Sequence, residues 1–458
     1  MDDIIGRVKE MKQLDRVMSS KKSEFVAVYG RRRVGKTFLI REYFNYTFDF
    51  QLTGLANATT RQQLTNFHAV LQRHSPLVED QISTNWFAGF QKLITYLESI
   101  QEDRKKIIFL DELPWLDTAR SDFMIALEHF WNSWATNRKD IVLITCGSAA
   151  SWMINKLINN HGGLHNRVTA RLKIFPFDLK ETEQFLKIKN SVIDRYQILQ
   201  LYMVMGGIPF YLDAISPEKS AAQNIEEMCF RKGALLATEF NNLFASLFKN
   251  PTKYELIITT LAAKTKGMTR KELSRSADLP TGGGLTDMLN ELEESGFITR
   301  YTAFGTKQHN STFRLSDFYS LFYLRFIKNN TNQNEGIWLN SIDAPTQRTW
   351  AGYAYEQICM AHIPQIKKAL GISGVVANTF SWKSKNAEKG AQIDLVIDRR
   401  DQVVNLCEVK YSINPFTITK SYADNLRNKV GAFRSETKTR KTLFLTMITT
   451  YGLSLIHI

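Results

Sequence analysis

Apolar side chains recur at helical spacing over residues 8–19, where Val8, Met11, Leu14, Val17 and Met18 share one face. The period then changes. Phe25, Val26, Ala27, Val28 and Tyr29 form a short β-prone run that stops at Gly30, and residues 36–44 return to helical spacing. One long helical region is predicted over about 60–100. Unbroken apolar runs follow at 107–110 (Ile107, Ile108, Phe109, Leu110) and 141–144 (Ile141, Val142, Leu143, Ile144). Short apolar strands alternating with helices predict an α/β fold, with a parallel sheet covered on both faces.

Beyond about residue 176 the strand signals stop, and 180–248 read as mostly helical. Three helical patterns succeed one another over 254–298, followed by strand-like runs near 298–303 and 311–315. In the second of these helices Thr269 is placed to cap, with Glu272 three residues on. Leu285, Met288, Leu289 and Leu292 give the third its apolar face, so the order resembles a winged helix-turn-helix. That third helix also carries Asp287, Glu291, Glu293 and Glu294, a poor face for phosphates. The polar stretch 329–335 reads as a linker, and helix and strand signals alternate again over 345–452. The expected parts are a core over 1–176, a helical lid over 177–249, a winged helix over 250–328 and a last α/β domain over 345–452. Residues 453–458 (Leu-Ser-Leu-Ile-His-Ile) resemble a translated sequencing-library transposon adapter and are expected to be non-native.

Composition narrows the picture. The 458 residues are too many for one core, and 44 % hydrophobic with 12 % aromatic residues suits packed domains rather than disorder. A formal charge of +14 favours an acidic partner, nucleic acid first and DNA in particular. Cys146, Cys229, Cys359 and Cys407 form no close pair, so reduced core thiols in the cytoplasm are expected, without zinc. No basic leader opens the chain and no apolar run reaches membrane-spanning length, so no membrane is expected.

The chemistry concentrates in two places. Gly30, Arg31, Arg32, Arg33, Val34, Gly35, Lys36 and Thr37 fit G-x-x-x-x-G-K-[ST] between a predicted strand and a predicted helix. The glycines let backbone N–H groups wrap phosphate oxygens at a helix N-terminus. Lys36 would reach the β- and γ-phosphates of ATP, and Thr37 would hold Mg²⁺. Asp111 and Glu112 end the 107–110 strand, where a magnesium partner and a base for the attacking water are needed. Ser148 ends a neighbouring strand and could sense the γ-phosphate. Arg167 and Arg171 are arginine-finger candidates.

Residues 5–11, the loop 29–37, the run Leu110-Asp111-Glu112-Leu113-Pro114-Trp115-Leu116 and Cys146-Gly147-Ser148 resemble the archaeal-type ATPases of the AAA+/STAND branch. The run Gly206-Gly207-Ile208-Pro209 is similar to that branch's Gly-x-Pro motif. The resemblance implies that Pro209 lies near the adenine, and that the protein is a nucleotide-switched ATPase whose lid closes on ATP. In such ATPases the winged helix often packs within the molecule.

The second place is C-terminal. A hairpin centred near Asp401 would set Asp394 opposite Glu408, and Glu408 and Lys410, two apart, share a strand face. Residues 390–397 and 406–410 resemble the restriction-endonuclease-like domain fused to these ATPases. That resemblance implies Asp394 and Glu408 as Mg²⁺ ligands, Lys410 as the cation beside the nucleophile, and Glu356 completing the metal shell. Lys383, Lys385, Lys389, Arg399, Arg400, Lys420, Arg427 and Lys429 would make a phosphate-tracking surface.

The expected function is an ATP-hydrolysing switch joined to a nucleic-acid-binding, Mg²⁺-dependent nuclease domain, with ATP exposing or aligning the C-terminal site. The rival is an ATP-dependent scaffold or regulator whose C-terminal domain binds DNA or protein without cutting. A small-metabolite kinase fits the added basic domains poorly. A homo-oligomer stays open.

Overall fold

A computed structural model describes residues 4–75, 81–159, 162–164, 166–248, 250–264, 266–302, 304–305, 311–330, 336–342, 344–384 and 390–454. Part of the polar linker, Lys385 and Lys389 of the basic set, and residues 455–458 of the suspect tail lie outside the described residues. The chain divides into two compact units, Met1–Phe177 with Ile208–Asp213, and Asp178–Gly207 with Ala214–Ile458.

In the first unit a helix spans Val8–Ser19, as the apolar period predicts. Five strands follow: β1 (Glu24–Tyr29), β2 (Phe50–Thr53), β3 (Lys106–Asp111), β4 (Ile141–Gly147) and β5 (Ala170–Lys173). Their order in the sheet is β2-β3-β4-β1-β5, and every pairing is parallel. The central strands β1, β3 and β4 are buried nearly throughout, which explains their unbroken apolar runs. The outer strands β2 and β5 are four residues each and partly polar, and their sequence carries no comparable signal.

The region read as one long helix is two, Thr60–His74 and Trp86–Ser99. Each has its own N-cap: Thr59 in a capping box with Gln62, and Asn85 accepting from the Ala88 N–H. Phe67, Trp86, Phe90, Phe123 and Phe130 form an aromatic layer that packs these helices on one sheet face.

The second unit opens with helices, among them Leu179–Ile188, Arg195–Met205, Ala221–Cys229 and Glu239–Leu247. A helix Pro251–Ala262 precedes β6 (Met268–Thr269), the helices Arg270–Ser276 and Gly283–Glu294, and the strands β7 (Ile298–Tyr301) and β8 (Thr312–Leu315). Thr269 and Glu272 do form a reciprocal capping box. The three strands make a small antiparallel sheet of order β6-β8-β7.

The last sheet has the order β12-β11-β10-β9, from β9 (Ala377–Lys383), β10 (Gln392–Arg399), β11 (Val403–Lys410) and β12 (Thr442–Thr449). β9, β10 and β11 are antiparallel, while β12 runs parallel to β11. A parallel neighbour needs a crossover, and the helix Lys420–Thr437 supplies it. Buried Val409 of β11 packs with Tyr355, Ile358 and Cys359 of the helix Pro345–Ala361.

Candidate functional sites

The first site grows from the carboxyl ends of β1, β3 and β4. Tyr29 of β1 lies beside Gly147 of β4, and Leu110 of β3 beside Thr145 of β4. Three polypeptide turns therefore leave the sheet side by side. The first is the glycine-rich loop, whose tight course needs left-handed backbone at Arg33 (φ 69°) and Gly35 (φ 86°). A side chain at Gly30 would run into the Ile174 carbonyl oxygen. The helix Lys36–Tyr43 begins directly after Gly35, so its free N–H groups face the loop.

Lys36 is only 5 % exposed. Its ammonium donates to the Gly30 and Arg31 carbonyls at 3.1 and 2.8 Å and to the Ser148 hydroxyl at 3.3 Å. Burial holds its pKa below the ordinary lysine value, against the pull of nearby Cys146, Glu112 and Asp111. An anion in the loop would favour the charged form further. The Thr37 hydroxyl lies 3.1 and 3.0 Å from the two Asp111 carboxylate oxygens. Asp111, 3 % exposed, also accepts from the Glu112 N–H at 3.0 Å, and it has no ion pair with a basic side chain among the described residues. A buried carboxylate beside a hydroxyl, with no direct ion pair among the described residues, fits a divalent cation.

Glu112 follows Asp111 in left-handed backbone (φ 48°), which costs about 1–3 kcal/mol and aims its side chain across the site. Its carboxylate accepts from the Ser148 hydroxyl at 2.8 Å and from the Ser148 N–H at 3.3 Å. Ser148 therefore touches both Lys36 and Glu112. Gly147 before it is obligatory, because a Cβ would meet Met153 and Pro114 at 2.8 Å.

Two contacts escaped the sequence reading. The Arg7 guanidinium donates to the Val34 carbonyl at 3.0 Å and stacks over Phe177 at 4.9 Å, tying the opening segment to the loop. The Arg33 guanidinium lies 4.2 Å from the centre of the Phe210 ring, in the short helix Pro209–Asp213. Pro209 starts that helix, and the segment belongs to the same compact unit as the loop. Arg167 and Arg171 are both exposed, and no hydrogen bond joins either to Lys36, Thr37, Asp111, Glu112 or Ser148 among the described residues.

The second cluster is built on β10 and β11. Leu395 lies opposite Cys407, so Asp394 and Glu408 are the next facing positions in the same register. On its other edge β10 shifts register against β9 between Ile393 and Val396, a bulge that re-aims Asp394. Glu408 is 3 % exposed and heavily engaged. It accepts from Lys429 at 2.7 Å and Tyr422 at 2.7 Å, and pairs with Lys410 at 3.3 Å. Burial pushes its pKa up, but Lys429 and Tyr422 outweigh that and leave it below the usual carboxylate value. Asp394 accepts from Gln392 at 3.2 Å, and burial together with the Glu408 charge raises its pKa. Glu356 is raised to about 7 by burial and then by Asp394, with Lys410 and Arg314 opposing.

The four expected residues Glu356, Asp394, Glu408 and Lys410 thus share one electrostatic neighbourhood. Among the described residues no group of three or more His, Cys, Asp or Glu is arranged to hold a metal ion. Tyr422 and Lys429 come from the crossover helix. Of the basic residues expected to track phosphates, Lys429 pairs with Glu408, Arg399 with Asp401 and Arg427 with Asp424.

Comparison with known proteins agrees with the first site. Residues 4–215 match the model of an ATPase domain predominantly from Archaea. An uncharacterised protein of Methanocaldococcus jannaschii, MJECL04, is 25 % identical over 433 residues, covering 92 % of this chain and 91 % of its own. The uncharacterised ATP-binding protein MJ1659 of the same organism is 28 % identical over 164 residues, 34 % of this chain and 44 % of its own. Among solved structures, the Walker-type ATPase PABY2304 of Pyrococcus abyssi superposes with a TM-score of 0.52 at 16 % identity, over 71 % of this chain and 97 % of that one. That likeness shows the shared fold. The loop, the parallel five-stranded sheet and the family match together establish that this chain carries an archaeal-type P-loop ATPase domain.

Proposed function

We propose that the protein is an ATP-hydrolysing switch whose C-terminal unit acts on nucleic acid. The observation that carries the first half is the pairing of Thr37 with Asp111 beside a buried Lys36. Lys36 would leave the Gly30 and Arg31 carbonyls for the β- and γ-phosphates. The residues that would hold Mg²⁺ are Thr37 and Asp111. When bound, Mg²⁺ would neutralise phosphate charge. Glu112, once released by Ser148, would take the proton of the attacking water. Ser148 is suited to report the γ-phosphate, because it already bridges Lys36 and Glu112. Pro209 and Phe210 would border the nucleotide from the side of Arg33. The exposure of Arg167 and Arg171 suits a finger offered to another copy rather than to the same loop. The assay is phosphate release, with and without single- and double-stranded DNA. Stimulation by DNA supports the switch, and an absence of hydrolysis under all conditions refutes it.

For the rest of the chain the working parts are a core over 1–176, a lid over 177–249, a winged helix over 250–328 and a nuclease-like domain over 345–452. The winged helix reads best as a packing module. Phe304, just beyond β7, donates its N–H to Ser381 of β9 at 3.0 Å, and its ring meets Phe380 at 5.4 Å and Phe433 at 5.1 Å. Such a docked hairpin does not suit groove insertion. In the nuclease-like domain Asp394, Glu408 and Glu356 are not arranged for a metal as they stand and would have to draw together to hold Mg²⁺, whose charge would offset the repulsion that raises Glu356 and Asp394. Lys410 would carry the developing phosphate charge. Four free, buried cysteines suit a reducing, cytoplasmic setting, and no helix among the described residues is long and apolar enough to cross a membrane.

One observation favours the rival reading. Lys429 and Tyr422 already saturate Glu408, as in a site that binds without cutting. Plasmid incubated with Mg²⁺ or Mn²⁺ beside a Glu408→Ala control separates the two. Equal products from both proteins would leave the scaffold.

A further inference from the structure

A cavity of about 430 Å³ lies within the second unit, away from the carboxylates but joined to them by a short loop. Its walls come from the helices Arg195–Met205, Ala221–Cys229 and Pro345–Ala361, and from residues 411–417. Five aromatic rings line it: Tyr196, Trp338, Trp350, Tyr411 and Phe416. Tyr196 and Tyr411 are stacked, with planes 17° apart and hydroxyls 2.6 Å apart. Trp338 and Trp350 stand at 85° to each other. Three amide side chains, Gln200, Gln347 and Asn414, lie among the rings. Aromatic faces give a flat ligand stacking area, while amides offer a donor and an acceptor on one group. Gln347 already donates to the Trp338 carbonyl at 3.3 Å and the Ser341 hydroxyl at 2.6 Å, and Gln200 bonds the Tyr411 hydroxyl, so Asn414, exposed on the loop, is the amide that offers a ligand both a donor and an acceptor. A heteroaromatic base uses both, because Asn and Gln pair with the donor–acceptor edges of bases.

The placement adds to the argument. Tyr411 directly follows Lys410, and the loop it begins runs to the crossover helix that carries Tyr422. Phe416 of that loop packs edge-on against Tyr422, 5.3 Å between ring centres, and the Tyr422 hydroxyl holds Glu408. We propose that this cavity is a nucleobase pocket. It takes one purine or pyrimidine ring, from a free nucleotide or from an unstacked position in a strand. The second source rests on the nucleic-acid reading given above. The pocket itself rests on its rings and amides.

The test uses the full chain with Lys36→Ala, to silence the phosphate loop. Nucleoside monophosphates and short single-stranded oligonucleotides, one intact and one abasic throughout, are titrated while tryptophan fluorescence is followed. Ala222→Phe fills the cavity from the helix Ala221–Cys229, and Asn414→Ala removes an exposed amide with little risk to folding. An unchanged denaturation midpoint and near-ultraviolet circular dichroism of the Ala222→Phe protein check that the second unit is folded. The expected result is saturable binding that both substitutions weaken, Ala222→Phe by roughly tenfold or more. Binding of free nucleotides alone identifies a small-molecule pocket. Binding of the intact but not the abasic strand identifies a strand. Absence of binding in both arms, or binding untouched by both substitutions, overturns the proposal. Pocket binding without any DNA cleavage would sink the nuclease reading alone.

Discussion

The loop beside β1 and the carboxylates on β10 and β11 handle buried charge in opposite ways. In the first, Asp111 has no cationic partner among the described residues, and Lys36 rests on carbonyls and a hydroxyl. Charge is held ready and unpaired, so a ligand carrying both signs is drawn in. In the second, Glu408 is already neutralised by Lys429 and Lys410 and capped by Tyr422. Only Glu356 and Asp394 remain short of positive charge, and burial shows it in their raised pKa values. A residue pattern that is right for catalysis therefore does not by itself make an open site. What matters is whether the neighbours leave the charge free.

The contrast can be broken most forcefully at Lys36. Lys36→Ala removes both phosphate binding and charge stabilisation, and kcat/KM for ATP should fall by at least about a thousandfold. Phosphate release measures it. Next, Glu112→Gln should keep ATP binding while kcat drops by about 10²–10⁴, because only the proton acceptor is lost. If Ser148 parks that base, Ser148→Ala should lower kcat less than Glu112→Gln does.

At the second cluster Lys429→Met strips Glu408 of its shortest ion pair. We expect the second unit to lose about 1–3 kcal/mol in chemical denaturation. Added Mn²⁺ should restore much of it if Glu408 can take a metal, and none if the cluster is a closed scaffold.

The smallest effect concerns pH. The folded form keeps a proton on Glu356 up to about 7, whereas the unfolded chain releases it near the ordinary 4.5. Stability should therefore fall as pH rises through that interval and level off above it. In chelator, Glu356→Gln should flatten this slope, leaving the part owed to Asp394, and gain on the order of 1–2 kcal/mol at about pH 8, with little change near the acid end. An unchanged slope in the variant would show that another group is responsible.

These two regions also differ in how plainly the sequence announced them. The phosphate loop is eight consecutive residues between a strand and a helix, so its chemistry is local and legible. The facing of Asp394 and Glu408 was legible too, because a short hairpin turn sets the register. Tyr422 and Lys429 were not, since they reach Glu408 only through a crossover helix whose docking depends on β12 pairing in parallel with β11. Strands β2 and β5 were missed for a related reason. Each is four residues long and owes its extended form to a central neighbour rather than to its own composition. The contact of Arg7 with Val34 joins residues 27 apart, and no local pattern marks it. Both pieces of the long 60–100 helix signal were real. The second piece starts at its own N-cap, where the Asn85 side chain accepts from the Ala88 N–H.

The most direct test of the central claim is calorimetric titration of ATP into the intact protein, with and without Mg²⁺, beside Lys36→Ala. We predict a saturable, Mg²⁺-dependent site that disappears in the variant, leaving at most the Mg²⁺-independent uptake of the nucleobase pocket. Equal uptake of ATP by both proteins would contradict the account.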